Sequence, residues 1–303
     1  MSQTTRAARP EPGPAGRAHS GRAHSGRAHS GGADPTRARD GSRFARTLHA
    51  EWTKLRTLPG TGWLLATAAA LTIAVSAAAD AASTCLARSA GCQADPAKLS
   101  LTGVQVGQAI VAIIAVLAIS GEYSTGLIRV TLTAMPRRWT VLGAKAALVG
   151  GLVLAAGTLG VLGSVLAGRL ILPGHGFTTA HGVPPLSLGD GPVLRAACGS
   201  VLYLALIALL SLGVATAVRD SAVAMGLVLG LLYVFPIVTS VVGNQHWQRH
   251  LEQIGPMNAG LYVQATVGLK TLPLAPWQGL GVTAGWAVGA LLLGGLALRL
   301  RDA

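Results

Sequence analysis

Residues 196–218 read AACGSVLYLALIALLSLGVATAV, and after Arg219-Asp220 residues 221–243 read SAVAMGLVLGLLYVFPIVTSVVG. Neither run holds a charge. At about 1.5 Å rise per residue each run reaches roughly 34 Å as a helix, enough to cross about 30 Å of hydrocarbon. Two such runs back to back, split by an Arg-Asp pair, predict a helical hairpin in a bilayer. Four more uncharged windows lie at 57–79, 99–121, 146–168 and 271–298. The expected fold class is therefore an all-α polytopic membrane protein with six transmembrane helices. The spans are predicted at about 61–82, 101–121, 143–168, 196–218, 221–243 and 279–298, with Trp277 at the edge of the last.

Composition agrees. Of 303 residues, 51% are hydrophobic and 12% charged, with a mean hydropathy of +0.52. A soluble domain carries about 25% charged residues. The net charge of +13 raises nucleic acid as a partner. The placement of the basic residues argues for membrane topology instead, and no nucleic-acid partner is expected. Eleven of the 24 Lys and Arg residues precede residue 57. Arg129, Arg137, Arg138, Lys145, Arg219, Arg299 and Arg301 fall on the same side if the N-terminus is inside. Only Arg88, Lys98, Arg169, Arg195, Arg249 and Lys270 fall opposite. The excess predicts that both termini lie in the cytoplasm. No cleavable signal peptide is expected, since the first apolar run begins near residue 63.

Residues 1–42 form a low-complexity tail, expected to be disordered. The pentad Gly-Arg-Ala-His-Ser occurs three times from Gly16 to Ser30, and large apolar residues are lacking. The membrane domain then runs over 43–303. Its first segment, 43–58, places Phe44, Leu48, Trp52 and Leu55 on one helical face with basic residues around it, which suits an interfacial helix. Pro59-Gly60 is expected to break that helix.

Smaller signals qualify the spans. Gln105 and Gln108 sit on an otherwise apolar helix and are expected to face a partner helix or a wet cavity. Segment 253–269 is uncharged but only 17 residues long and broken by Gly255-Pro256. Two readings stand: a pair of short helices dipping into the outer leaflet with protein shielding their backbone, or an ordinary loop packed on the outer surface. Gly281, Gly285 and Gly289, like Gly226 and Gly230, mark faces expected to pack closely, first within the chain and otherwise across a dimer contact. Of the three cysteines, Cys198 is expected to be buried. Cys85 and Cys92 share one loop, where a disulfide is compatible with an outside location.

Several chemistries find no residues. No lysine follows a P-loop pattern, and no His-Glu-x-x-His exists. His246 and His250 are four apart, but only Glu252 stands near as a third ligand, so no metal site is expected. All eight histidines lie in tails, loops or the interface, which excludes an intramembrane serine protease. Asp80, Glu122 and Asp220 lie at span ends, which disfavours ion-coupled transport. No catalytic residues, enzyme activity or cofactor are assigned to this chain.

The connection after the second span runs from Glu122 to Trp139. Ser124 or Thr125 is placed to cap a short helix running through Leu132, and Pro136 ends it. It reads either as a docking surface or as a plain loop with snorkelling arginines.

Three features in order resemble the permease subunits of type-2 ABC exporters from high-GC bacteria. They are Ala50-Glu51-Trp52-Thr53-Lys54-Leu55-Arg56 before the first span, Gly121-Glu122-Tyr123-Ser124-Thr125-Gly126-Leu127-Ile128-Arg129 after the second, and Pro136-Arg137-Arg138-Trp139 followed by Lys145. The resemblance covers about residues 44–303. It implies an elbow helix at 43–58 and a coupling helix within Glu122–Trp139; Glu122 is placed to pair with an arginine such as Arg129, one to two turns on. It also implies a separate ATP-binding cassette subunit that holds ATP and Mg, a second permease copy, and export from the cell membrane. An apolar path points to a hydrophobic small molecule or lipid as cargo. The other readings are a non-transporting anchor or immunity subunit and a secondary transporter.

Overall fold

The computed structural model describes residues 59–85, 94–124 and 138–301. Among them every regular element is helical. Six helices are long and apolar enough to cross a membrane. The chain is an all-α polytopic membrane protein.

Helix α1 spans Pro59–Ala82. Pro59 and Gly60 are its first residues; a first-turn proline has no N–H to lose and its φ suits a helix, while the helix they were expected to end lies outside the described residues. The short α2, Pro96–Ser100, begins where the Asp95 carboxylate accepts from the Lys98 amide at 3.1 Å. A turn at 101–103 leads into α3, Val104–Ser124. Helix α4, Arg138–Ile171, has 34 residues and so a length of roughly 51 Å, more than a bilayer core requires. Helix α5 spans Gly191–Val218 and α6 spans Ser221–Val241. Between them Arg219 adopts φ +67°, the left-handed conformation a bulky residue rarely takes, and Asp220 caps α6 through the Val223 amide at 2.8 Å. Then come α7 at Gln245–Ile254, α8 at Pro256–Leu261 and α9 at Pro276–Arg301.

All six predicted spans are present, several with longer ends: the spanning segments run 62–82, 96–121, 139–175, 191–218, 221–241 and 276–300. Pro96 and Pro192 at helix starts carry two of these segments past the uncharged windows that begin at 99 and 196.

Helix α5 is the centre of the bundle. It packs on α9, α3, α4 and α6. Tyr203, Ile207, Leu210 and Leu212 on it are fully enclosed. Among the described residues helix α1 packs against α4, α3 and the short α2. Its inward face repeats every fourth residue as Thr72, Ser76 and Asp80, all buried. Ser76 Oγ accepts from the Gly103 amide at 3.0 Å and Asp80 accepts from Ser100 Oγ at 3.3 Å. Leucines and valines of α4, α6 and α9 point out of the bundle, as lipid contact requires.

Close helix approach occurs at other glycines than expected. A Cβ at Gly226, Gly230, Gly281, Gly285 or Gly289 would meet nothing within 4 Å. The tight α5–α9 contact is made by Gly213 and Gly294, where a Cβ on Gly213 would lie 2.4 Å from the Ala290 carbonyl carbon. Spacing alone marks a small-residue face but not which face meets a neighbour. Cys198 is likewise corrected: it is free and exposed on α5, not buried. Cys85 is disulfide-bonded; Cys92 lies outside the described residues. So do the tail, residues 1–42, and the interfacial segment with Phe44, Leu48, Trp52 and Leu55.

Candidate functional site

Segment 254–267 does not pack on the outer surface. It enters the bundle and is seated by side chains from three spans, α3, α5 and α9. Trp286 Nε1 of α9 donates to the Ile254 carbonyl at 2.9 Å, and Thr283 Oγ1 donates to the Pro256 carbonyl at 3.0 Å. Gln108 Nε2 of α3 donates to Met257 Sδ at 3.1 Å, while Tyr203 of α5 donates to Gln108 Oε1. On the return, Gln264 Nε2 donates to Ser200 Oγ at 3.0 Å and Arg195 Nη2 donates to the Ala265 carbonyl at 2.5 Å. Ser200 and Tyr203 are the tenth and thirteenth residues of α5, so α8 reaches about halfway down that helix. Non-helical backbone at such depth needs protein partners, and these bonds supply them.

Two glycines permit the fit. A Cβ on Gly260 would lie 2.4 Å from Tyr203 Cε2, and one on Gly279 would lie 2.0 Å from the Ala259 carbonyl oxygen. Gln108 thus faces partner segments, not a wet cavity. Tyr233 OH donates to the Gln105 carbonyl at 2.8 Å and ties α6 to the same place.

The seat is closed at the loop end by Asp95. Its carboxylate accepts from Thr266 Oγ1 at 2.6 Å, from the Thr266 amide and from the Val267 amide at 3.0 Å, in addition to the cap on α2. One carboxylate therefore holds both the start of the second span and the end of the re-entrant segment.

Tyr203→Phe should leave Gln108 Oε1 buried without its donor. Such an orphan costs about 1–3 kcal/mol. The expected result is a lower unfolding midpoint of the purified chain in detergent, with helix content unchanged in circular dichroism.

Below the re-entrant segment, between α6 and α9 with α5 as floor, lies a cleft of about 630 Å³. Leu210, Val214 and Val218 line it from α5, Leu231 from α6, and Val282, Trp286, Gly289 and Leu293 from α9. Gln253 and Ile254, the last residues of α7, form its roof. Its two polar edges are already engaged: Gln253 Nε2 donates to the Pro273 carbonyl at 3.2 Å, and the Trp286 indole to Ile254. Its size and apolar lining fall in the range of small-molecule sites.

The connection expected to dock a partner lies mostly outside the described residues, including Thr125, Gly126, Arg129, Pro136 and Arg137. Its flanks are described. Glu122, Tyr123 and Ser124 belong to the last turn of α3 and not to a separate loop segment, and Arg138 and Trp139 open α4. The Arg219 guanidinium stacks over the Tyr123 ring at 5.6 Å, and Tyr123 OH reaches the Thr216 carbonyl at 3.5 Å. Arg299 stacks over Trp139 at 5.5 Å. The Trp139 ring also lies against Gly295, where a Cβ would stand 2.2 Å from it. Lys145 sits two turns into α4, buried, with Nζ donating to the Ala118 carbonyl at 3.3 Å.

Sequence reasoning missed Asp95, Tyr203, Met257 and Thr283. It placed Asp80 at a span end without its burial, although Thr72, Ser76 and Asp80 at four-residue spacing carried that signal. Among the described residues no group of three or more His, Cys, Asp or Glu side chains is placed to hold a metal ion. No family model and no curated protein matches the chain.

Proposed function

We propose that this chain is the permease subunit of an ATP-driven exporter in the cell membrane. Both termini face the cytoplasm, and a separate ATP-binding cassette subunit supplies ATP hydrolysis. A second permease copy completes the path, and the cargo is a hydrophobic small molecule or a lipid. The observation that carries this reading is the anchoring of the 125–137 connection. Its leading flank, Tyr123, is held on the α5–α6 turn through Arg219, and its trailing flank, Trp139, is held on α9 through Arg299 and Gly295. A push on the connection therefore reaches α5 and α9, the floor and one wall of the apolar cleft. Rigid-body movement of packed helices is how such a push becomes an opening.

Secondary transport has one observation in its favour, the buried Asp80. That carboxylate packs between α2 and Gly168 of α4, while the cleft lies among α5, α6 and α9. It lines no path in the described structure, so the ATP-driven reading stands.

Purification of the full chain from its own membranes should bring a P-loop ATP-binding subunit in stoichiometric amount. Export of a hydrophobic dye should then survive collapse of the proton gradient and stop on ATP depletion. A chain that purifies without such a subunit, and whose export collapses with the gradient, overturns the proposal. Gly289→Trp offers a narrower check. A Cβ there meets nothing within 4 Å, so the indole fills the cleft without disturbing the fold. Dye export should fall about tenfold or more, which corresponds to about 1.4 kcal/mol, with the unfolding midpoint unchanged.

A further inference from the structure

Helix α7 carries two imidazoles one turn apart on its outward face. His246 Nε2 and His250 Nε2 stand 3.3 Å apart. The ring centroids are farther apart, at 4.5 Å, so the Nε2 edges converge. Two nitrogen ligands on one zinc ion, each at about 2.0–2.1 Å and in tetrahedral geometry, lie about 3.3–3.4 Å apart. The pair already has that spacing. Without a cation, that distance lets one ring donate an Nε2–H to the other nitrogen. A cation can take the place of that proton, with both rings carrying their remaining proton on Nδ1.

We propose that His246 and His250 form a two-imidazole site for a divalent transition cation, zinc being the representative. Both rings are exposed, which gives a cation direct access. Glu252, the nearest carboxylate, is turned away to the Tyr262 hydroxyl at 3.1 Å and to Gln248 at 3.5 Å. The chain therefore supplies two ligands and leaves two tetrahedral positions to water or to an external donor, one protein ligand fewer than the usual open zinc site. The backbone around the pair is fixed: Asn244 caps α7 through the His246 amide at 2.9 Å. Gln253 and Ile254 end the helix at the roof of the cleft, so a cation spanning residues 246–250 staples the element that covers it. The site depends on this geometry alone and not on what the cleft carries.

The test uses the purified full chain with His19, His24 and His29 changed to Gln, which removes the repeat-tail imidazoles. Cu²⁺, which follows zinc ligands and binds nitrogen more tightly, serves as the spectroscopic probe, and Zn²⁺ is titrated against a chromophoric chelator. One equivalent is expected, with an electron paramagnetic resonance signal of two nitrogen donors. His246→Gln or His250→Gln should each weaken Zn²⁺ binding about tenfold or more and reduce the signal to fewer nitrogens, with circular dichroism unchanged. Equal affinity in the wild-type pair and in both single variants, or a one-nitrogen signal in the wild type, would mean independent surface histidines and overturn the proposal.

Discussion

Gly213→Leu is expected to cost the fold about 3 kcal/mol or more, with Gly226→Leu as a near-silent control. The two glycines look alike in sequence, each inside an apolar span. Their surroundings differ. A Cβ on Gly213 would lie 2.4 Å from the Ala290 carbonyl carbon and 2.5 Å from the Leu291 nitrogen, both backbone atoms that cannot rotate away. Leucine there must push α9 off α5, the most extensive helix pair in the bundle. Overpacking costs about 1–3 kcal/mol even where side chains can shift; here they cannot. Gly226 on α6 has open space, so leucine there only adds apolar surface toward lipid. Tryptophan fluorescence during thermal unfolding in detergent should show a lower midpoint for Gly213→Leu and a change within about 0.5 kcal/mol for Gly226→Leu. Similar midpoints for both variants would contradict the packing described.

Asp95→Ala should produce the second large effect, centred on the re-entrant segment. It removes the acceptor for the Thr266 amide, the Thr266 hydroxyl, the Val267 amide and the Lys98 amide together. Hydrogen bonds to a charged group contribute about 1.5–3 kcal/mol each. Water can replace part of this at the partly exposed site, so a total of about 3 kcal/mol is expected. Hydrogen exchange should locate the loss: amides of 256–267 should exchange faster while those of α1 and the body of α4 keep wild-type protection. Asp95→Asn, which keeps one carbonyl oxygen as acceptor, should fall between. Uniform loss of protection over all six spans would show that Asp95 holds the whole bundle and not the segment alone.

The spans were legible because a bilayer imposes one coarse rule, about twenty residues without charge, and 196–218 and 221–243 obey it plainly. Lengths were less legible. Lys145 ends the uncharged window yet lies inside α4, because a lysine can bury its stem and donate to a neighbouring carbonyl. Segment 253–269 left two readings open in sequence, since Gly255-Pro256 and a length of 17 residues fit either. What decides between them is long-range: Gln108, Tyr203, Thr283 and Trp286 come from three different helices, and no local pattern announces that their polar atoms converge on one hairpin. The glycine faces failed for the same reason. Periodicity shows that a face is smooth, whereas its neighbour is set by the packing of the whole bundle. The functional reading is suggested by the resemblance at 50–56, 121–129 and 136–139, and the anchored flanks of the 125–137 connection support it. Its described remnants, Tyr123 and Trp139, are held by Arg219 and Arg299, two of the basic residues that the charge count had assigned only to topology.

The most direct test of the account is the side of the membrane on which the 125–137 connection lies. Single cysteines, Arg137→Cys and His181→Cys, would be placed in a background with Cys85, Cys92 and Cys198 all changed to Ala and treated with a membrane-impermeant maleimide. Labelling of His181→Cys in intact cells, with Arg137→Cys reacting only after permeabilisation, is the predicted result. Reaction of Arg137→Cys in intact cells would put the connection on the outside, beyond the reach of any cytoplasmic ATP-binding subunit, and would contradict the account.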